Sequence, residues 1–172
     1  CARAFAAEGA RVVVSDVNEA GGAALAQDIT AQGGAASFCR ADVGDRGDAE
    51  QLARFAAEHY GRIDVLVNNA GIVHAAEFVD LTEADFDRVL RVNLKGPFLC
   101  SQAAVRQMLK QAPRANGTSY GVNVRASTQF RSDNLDWKTG YSVAHKSDAF
   151  EAILGYRGRP ALIHVDDMVL VG

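Results

Sequence analysis

Cysteine is scarce in this sequence, and long apolar runs are absent. The three cysteines, at positions 1, 39 and 100, are too far apart to match a metal-ligand spacing, so we expect no metal site. We expect these cysteines to be reduced and mostly buried thiols, as in a cytoplasmic protein. No apolar run approaches the ~20 residues that span a bilayer, so no membrane partner is expected.

Positive charge is also in short supply. Lys and Arg number 18 against 21 Asp and Glu, and the net charge of -3 argues against nucleic acid as a partner. Hydrophobic residues make up 48% and charged residues 23%, as in ordinary soluble proteins. At 172 residues, without an internal repeat or a linker, the chain is predicted to form a single domain, residues 1–172.

Strands alternate with helices along the first 110 residues. "RVVVS" (11–15) is apolar, as in a strand covered on both faces. A helix is predicted from a cap at Asn18 to Gly33, a strand near 36–40, and a helix from a cap at Asp48 to Gly61. Strands that alternate with helices of this length predict crossover connections and a parallel sheet.

The next segment begins with a strand, "IDVLVNN", and continues as a long helix. Thr82 and Asp85 resemble a capping box, and Gly96-Pro97 is predicted to kink the helix before it resumes toward Lys110. After residue 121 the alternation weakens. We expect a helix near Tyr141 to Ile153 and a strand-turn-strand in "ALIHVDDMVLVG".

Four motifs follow one another along the chain in the order that a known family shows: "RVVVSDVN", "ADVGD", "LVNNAGI" and "VNLKGPFLCSQAA". Together they are similar to the short-chain dehydrogenase/reductase family over residues 1–110, whereas 111–172 match poorly. The resemblance implies an α/β fold, a Rossmann-type doubly wound parallel sheet in three α/β/α layers. It also implies an NAD(P)-dependent oxidoreductase acting on an alcohol or carbonyl substrate, and a possible homo-oligomer.

Two carboxylates follow strands in this pattern. Asp16, with Val17 beside it, stands where a carboxylate can bind ribose hydroxyls and repel a 2'-phosphate, which favours NAD over NADP. The resemblance makes Asp42 and Val43 an adenine-contacting pair. Either aspartate can equally be a solvated turn residue.

Amide side chains follow the next strand and lie inside the next helix. The carboxyl end of this strand carries Asn68, Asn69, Ala70 and Gly71. One interpretation is a ligand site, because open α/β sheets bind ligands at this edge. The alternative is an Asn-rich turn whose residues adopt left-handed conformations. Asn93 lies on an apolar helix stripe. The resemblance implies that it holds a water of a proton relay; the alternative is an Asn satisfied by neighbouring carbonyls.

The dinucleotide fingerprint places its glycine turn about 20 residues before the ribose carboxylate. Counting back from Asp16, that turn falls before residue 1, so we expect the fold to lack the first strand and the glycine-rich loop. Since that strand is central in a Rossmann sheet, its two neighbours are predicted to lack a ladder partner. A non-catalytic Rossmann remnant is therefore an alternative function.

The resemblance assigns acid/base chemistry to Tyr141 and carbonyl polarisation to Ser127. Because "NVRAST" matches the family's strand-end serine pair poorly, an ordinary loop serine is the preferred interpretation of Ser127. The family places its lysine four residues after the tyrosine. Here that position is His145, and Lys146 is one further. On a helix, a spacing of four separates side chains by about 40° and a spacing of five by about 140°. Lys146 is therefore predicted to point away from the phenol.

The pair Asp166-Asp167 resembles the strand-turn-strand in which retroelement reverse transcriptases hold Mg²⁺. No accompanying polymerase pattern is present. A surface hairpin that carries the two aspartates is the preferred interpretation.

Overall fold

The computed structural model describes residues 1–112, 121–123, 126–132, 135–141 and 167–171, with side-chain environments for residues 1–112. The helices are α1 (Ala2–Ala7), α2 (Glu19–Ala31), α3 (Arg46–Tyr60), α4 (Glu83–Leu90) and α5 (Gly96–Met108). The strands are β1 (Arg11–Ser15), β2 (Ala35–Phe38), β3 (Val65–Asn68), β4 (His74–Ala75), β5 (Gly121–Asn123), β6 (Ala126–Ser132), β7 (Leu135–Tyr141) and β8 (Asp167–Val171).

The main sheet is parallel and has the strand order β2-β1-β8-β3-β5. Sequence neighbours β2 and β3 lie on opposite sides of β1 and β8, so the connections run in both directions from the middle of the sheet. This arrangement confirms the prediction of a doubly wound parallel sheet. A second sheet has the order β4-β6-β7, in which β6 and β7 are antiparallel.

Helices cover both faces of the main sheet, which confirms the three-layer prediction. Val12 and Val14 of β1 belong to one buried cluster, with residues of α1 and α2. Val13, between them, belongs to a second cluster with residues of α3 and α5. Because successive strand residues face opposite sides, the apolar run in β1 is what a strand buried on both faces requires.

Strand β8 corrects the expectation that two strands lack a ladder partner. Residues 167–171 pair in parallel with β1 along one edge, where Val13 is opposite Val169. They pair with β3 along the other, where Leu66 is opposite the same Val169. Each strand thus gains its hydrogen-bonding neighbour from a segment more than 90 residues away in sequence.

Short-range signals set most element boundaries. The Asn18 side chain accepts a hydrogen bond from the Gly21 N–H at 3.0 Å and caps α2. Gly61 ends α3 with φ of 85°, a left-handed conformation that glycine adopts at little cost. Thr82 caps α4 as predicted, because its Oγ1 accepts from the Asp85 N–H at 3.2 Å; the Asp85 carboxylate accepts from the Thr82 hydroxyl at 2.6 Å, in place of the backbone N–H of a full capping box.

The cap of α3 was predicted at the wrong aspartate. Asp45, not Asp48, caps this helix, and its Oδ1 accepts a hydrogen bond from the Asp48 N–H at 3.0 Å. The Asp48 carboxylate instead accepts from the Asp42 N–H at 2.8 Å, which fastens the loop after β2 to the first turn of α3. The preceding strand is also shifted, to Ala35–Phe38.

The predicted kink is a π-helical turn, Arg91–Lys95, between α4 and α5. The Gly96 N–H bonds the Arg91 carbonyl, five residues earlier. Pro97 has no N–H, so Asn93, four residues before it, cannot receive the usual α-helical hydrogen bond at its carbonyl. Within the described residues no helix combines the length and the apolarity needed to cross a membrane.

The C-terminal third differs most from expectation. Residues 121–123, 126–132 and 135–141 form β5, β6 and β7, although the sequence there matches no template. Tyr141 ends β7, where a helix was predicted to start; residues 142–153 lie outside the described residues. Asp167 begins β8 inside the main sheet, opposite Arg11, instead of standing on a surface hairpin. Asp166 is outside the described residues.

Candidate functional site

The carboxyl ends of β1 and β3 lie at the same level of the sheet. Ser15 and Asn68 are both paired with Val171, one from each side of β8. Asp16 and Asn69 each follow by one residue, so their backbones lie about two strand spacings apart, roughly 10 Å. The carboxylate and the amides predicted from sequence therefore occupy one edge of the sheet, the edge where open α/β sheets bind ligands.

Asp16 is half-buried between β1 and α2. Its Oδ1 accepts a hydrogen bond from the Asn18 N–H at 2.8 Å, while its backbone carbonyl receives the Ala41 N–H at 3.4 Å. Its second carboxylate oxygen has no hydrogen-bond partner among the described residues, so one acceptor stays available to a ligand. Val17 is 57% exposed beside it.

Ser15 is a polar residue of this edge that sequence reasoning missed. Its side chain is 1% exposed, and its Oγ has no hydrogen-bond partner in the described part of the chain. Buried hydroxyl groups are normally paired, so an orphan at a strand's carboxyl end indicates a water or ligand contact. Its only sequence signal is its place immediately before Asp16.

Asp42 is held by three polar contacts. Its Oδ2 accepts from the Arg91 guanidinium at 2.6 Å, its Oδ1 accepts from the Gly44 N–H at 2.9 Å, and its own N–H donates to Asp48. Burial alone raises the pKa of Asp42. The hydrogen bonds from Arg91 and Gly44, with the positive charges of Arg91 and Arg40, outweigh burial and bring this pKa below its ordinary value.

Val43 is buried against the start of α5. A side chain at Gly96 would approach Val43 Cγ2 to 2.6 Å, so glycine is required where the helix meets this loop. Val43 as a whole is only 6% exposed, so little of its surface is open to the predicted adenine contact.

Asn93 fastens the loop after β3. Its Oδ1 accepts from the Ile72 N–H at 2.8 Å, and its Nδ2 donates to the Ile72 carbonyl at 2.8 Å. The side chain is 5% exposed, so both backbone groups of Ile72 are satisfied in a buried setting. This contact supports the structural interpretation of the Asn93 amide.

The "NNAG" segment is anchored by its first residue. The Asn68 Nδ2 donates to Ser101 Oγ on α5 at 3.1 Å. Gly71 has no positive φ, and a methyl group there would meet only Asn93 Oδ1, at 3.7 Å, which is ordinary contact. Neither backbone strain nor packing explains glycine at position 71. Asn69 and Gly71 are exposed, and Ala70 is half-buried.

The strands that carry the predicted catalytic residues lie close to the π-helical turn. Ser127 lies in β6, not in a loop. It is paired with Gly140, whereas Tyr141 of β7 is paired with Ala126, so the ladder does not make Ser127 and Tyr141 cross-strand partners. β6 in turn packs against Arg91–Lys95, the turn that contains Asn93. Lys146 lies outside the described residues.

A shallow apolar groove of about 610 Å³ follows the outer face of α4, the π-helical turn and α5. Its lining is Asp87, Leu90, Arg91, Leu94, Lys95 and Phe98. Phe98 is 49% exposed, unusually open for a large aromatic side chain. Across the described residues, no three His, Cys, Asp or Glu side chains gather closely enough to hold a metal ion.

A doubly wound parallel sheet with a carboxylate and amides at one edge defines an α/β protein of the Rossmann type. Residues 1–118 match the family described as short chain dehydrogenase. An uncharacterized oxidoreductase of Thermotoga maritima is 38% identical over 162 residues, which cover 94% of this chain and 59% of that protein. The chain belongs to the short-chain dehydrogenase/reductase family.

Other similar proteins are also dehydrogenases by name. D-threitol dehydrogenase of Mycolicibacterium smegmatis is 36% identical over 83% of this chain and 52% of its own length. The crystal structure of a gluconate 5-dehydrogenase from Burkholderia cenocepacia, in complex with NADP and tartrate, is 36% identical over 63% of this chain and 43% of its own, with a TM-score of 0.59. The chain spans about half the length of the curated relatives that it matches.

Proposed function

We propose that this chain is the NAD-binding part of an oxidoreductase that interconverts a secondary alcohol and a carbonyl. The observation that carries the proposal is the shared pairing of Ser15 and Asn68 with Val171, which brings Asp16 and the "NNAG" segment to one edge. The names of some relatives state a small-molecule substrate, such as D-threitol or L-rhamnose. The family membership supports the reaction class.

The residues at this edge fit the adenosine half of NAD. Asp16 keeps one carboxylate oxygen available for ribose hydroxyls and would repel a 2'-phosphate. Neither the backbone conformation nor the packing at position 71 requires glycine. A cofactor that passes close to this segment would explain why the residue has no side chain. We therefore assign Asp16, Val17, Asp42, Val43, Asn69, Ala70 and Gly71 to cofactor binding, with NAD preferred over NADP.

When bound, the nicotinamide supplies or accepts the hydride. In the proposal, Tyr141 donates or accepts the proton at the substrate oxygen, and Ser127 polarises that oxygen. For these two residues the proposal rests on the family resemblance, because they are not cross-strand partners in the β6–β7 ladder. The carbonyl of Asn93, which Pro97 deprives of its α-helical donor, holds the relay water. Lys146 stays a predicted contributor whose spacing from Tyr141 is one residue longer than the family's.

The substitution Asp16→Ala tests cofactor choice. Removing the carboxylate takes away the ribose acceptor and the repulsion of a 2'-phosphate, so we expect NADH to bind at least about tenfold more weakly while NADPH binding is maintained or improved. Fluorescence titration with each reduced cofactor measures both effects. Glu58→Ala, which removes an exposed carboxylate from α3, is the charge-matched control and should change neither affinity.

Equal loss of NADH and NADPH binding in Asp16→Ala would contradict the assignment of Asp16 to cofactor choice. The unsubstituted chain provides the more basic test. If it shows no saturable NADH fluorescence, the proposal fails for this chain, and the non-catalytic alternative replaces it.

We also propose that a second copy of the chain covers the groove along α4 and α5. The groove is apolar, and Phe98 stands open within it. Phe98→Glu is expected to convert the assembly to monomers in sedimentation velocity, because a charge in a buried apolar interface is costly. Leu109→Glu, 62% exposed and outside the groove, is the control. A wild-type chain that sediments as a monomer contradicts the proposal.

A cytoplasmic location is part of the same proposal. Cys39 and Cys100 are free and buried, as expected for a reducing compartment. Burial raises the pKa of Cys100 to about 12, so its thiol stays protonated and unreactive. Cys1, in contrast, is exposed.

A further inference from the structure

A serine, a histidine and a tyrosine meet on the edge strand of the main sheet, away from the predicted site. Ser37 Oγ of β2 lies 2.7 Å from His59 Nε2 and 3.0 Å from the hydroxyl oxygen of Tyr60, both at the end of α3. Ser37 is half-buried and His59 is exposed, so a reagent from solution can reach the pair. A hydroxyl at this distance from an imidazole nitrogen has the geometry of a nucleophile and its base.

The imidazole is held in place on two sides. The Phe55 ring, one helical turn earlier, stacks on His59 with centroids 5.5 Å apart and an angle of 5° between planes. The Tyr60 ring meets it edge-on at 4.6 Å. His59 therefore presents Nε2 to Ser37 in a fixed orientation, which reduces the ordering required when a proton moves.

The position of His59 at the end of a helix also suits a general base. It lies in the last turn of α3, where the carbonyl end of the helix dipole stabilises a positive charge. A base that becomes cationic when it accepts the Ser37 proton is thus stabilised at the moment it is needed. Tyr60 is in turn positioned by Arg11, whose guanidinium carbon lies 5.4 Å from the ring centroid.

We propose that Ser37 is a nucleophilic serine that accepts an acyl group from activated esters, with His59 as its general base. His59 Nε2 takes the Oγ proton while Oγ forms a bond to the acyl carbon. The bond from that carbon to the ester's alkoxy oxygen then breaks, and the leaving alkoxide takes up the proton from the imidazolium. The product is an acyl-Ser37 ester and a free alcohol or phenol, with no change of oxidation state.

The site is separate from the cofactor edge. Ser37 is paired with Val13, three residues before Asp16 on β1, which corresponds to roughly 10 Å along the strand. The simpler explanation is that the hydrogen bonds of Ser37 only fasten α3 to β2. The two explanations differ in whether His59 must accept a proton.

Acylation by p-nitrophenyl acetate tests the proposal on the full chain carrying Cys1→Ser, which removes the exposed thiol. We expect a release of p-nitrophenolate and an acetyl group that peptide mass mapping locates on Ser37. His59→Gln, which can hydrogen bond but cannot act as the base, should slow acylation by roughly 10²-fold or more.

Thr30→Val is the control, because the Thr30 hydroxyl donates to the Ala26 carbonyl at 2.9 Å and is not within hydrogen-bond distance of an imidazole in the described residues. It should leave the acylation rate unchanged. An acetyl group found only on residues other than Ser37 would overturn the proposal, as would a His59→Gln variant that is folded by thermal denaturation and acylated at the original rate. Neither measurement needs a Ser37→Ala variant, so the test remains valid even if that variant does not fold.

Discussion

Val169→Pro is expected to destabilise the main sheet by about 3 kcal/mol or more. Val169 lies in the middle of β8, with Val13 opposite it on β1 and Leu66 opposite it on β3. Proline has no N–H to give to the ladder, and its ring crowds the adjacent strand. Since domains are stable by only about 5–15 kcal/mol, a loss of this size removes much of the total. Urea unfolding followed by circular dichroism measures the loss of stability caused by Val169→Pro.

Ala36→Pro is the matched control on edge strand β2. The Cys39 N–H bonds the Val14 carbonyl of β1, and strand N–H groups alternate in direction, so the Ala36 N–H is directed to the open edge. Proline at such a position removes no ladder bond and should cost clearly less. If the two variants lose the same stability, β8 is not a central strand.

Asn93→Leu is expected to lower the free energy of unfolding by about 3 kcal/mol. The substitution keeps the side-chain volume but leaves the N–H and carbonyl of Ile72 without their partner, and each buried unsatisfied group costs about 1–3 kcal/mol. Since Ile72 follows Gly71, the same variant should also weaken NADH binding. Urea denaturation and cofactor titration measure the two effects.

Gln111 offers a comparison with the same chemistry on a more deeply buried partner. Its side chain bonds the N–H of Ile63 at 2.7 Å and the carbonyl of Ile63 at 2.8 Å, at the start of the segment that leads into β3. Ile63 is 0% exposed, whereas Ile72 is half-buried, so water reaches the unpaired groups of Ile63 less easily after Gln111→Leu. We therefore expect Gln111→Leu to cost at least as much as Asn93→Leu. A clearly smaller loss for Gln111→Leu would show that the burial of the unpaired groups does not determine the cost.

The sequence predicted those parts of the fold that depend on short-range chemistry. β1 was predicted at its observed bounds because an apolar run between glycine and polar residues has few alternatives. The Asn18 cap and the Gly61 stop follow from the hydrogen-bonding capacity of one side chain and the backbone freedom of the other. The cap of α3 was misplaced because Asp45 and Asp48 both have a capping side chain, and only the path of the loop decides between them.

Long-range pairings could not be predicted in the same way. Nothing within residues 167–171 specifies β1 and β3 as partners, because an apolar pentapeptide can join many ladders. At the site, Asp16 was a candidate because it follows a strand, whereas the unpaired Ser15 hydroxyl becomes apparent only with its surroundings. Ser37 and His59 lie 22 residues apart, on a strand and a helix, and no sequence period joins them.

The pairing of β1 with β8 has a consequence for biosynthesis. β1 and β3 leave the ribosome long before residues 167–171, so both present an open edge until those residues have been made. Contacts between distant parts of a chain slow folding, and unpaired edges promote aggregation. We therefore expect the main sheet to form only after residues 167–171 have been synthesised, and the open strands to need the protection of a chaperone until then.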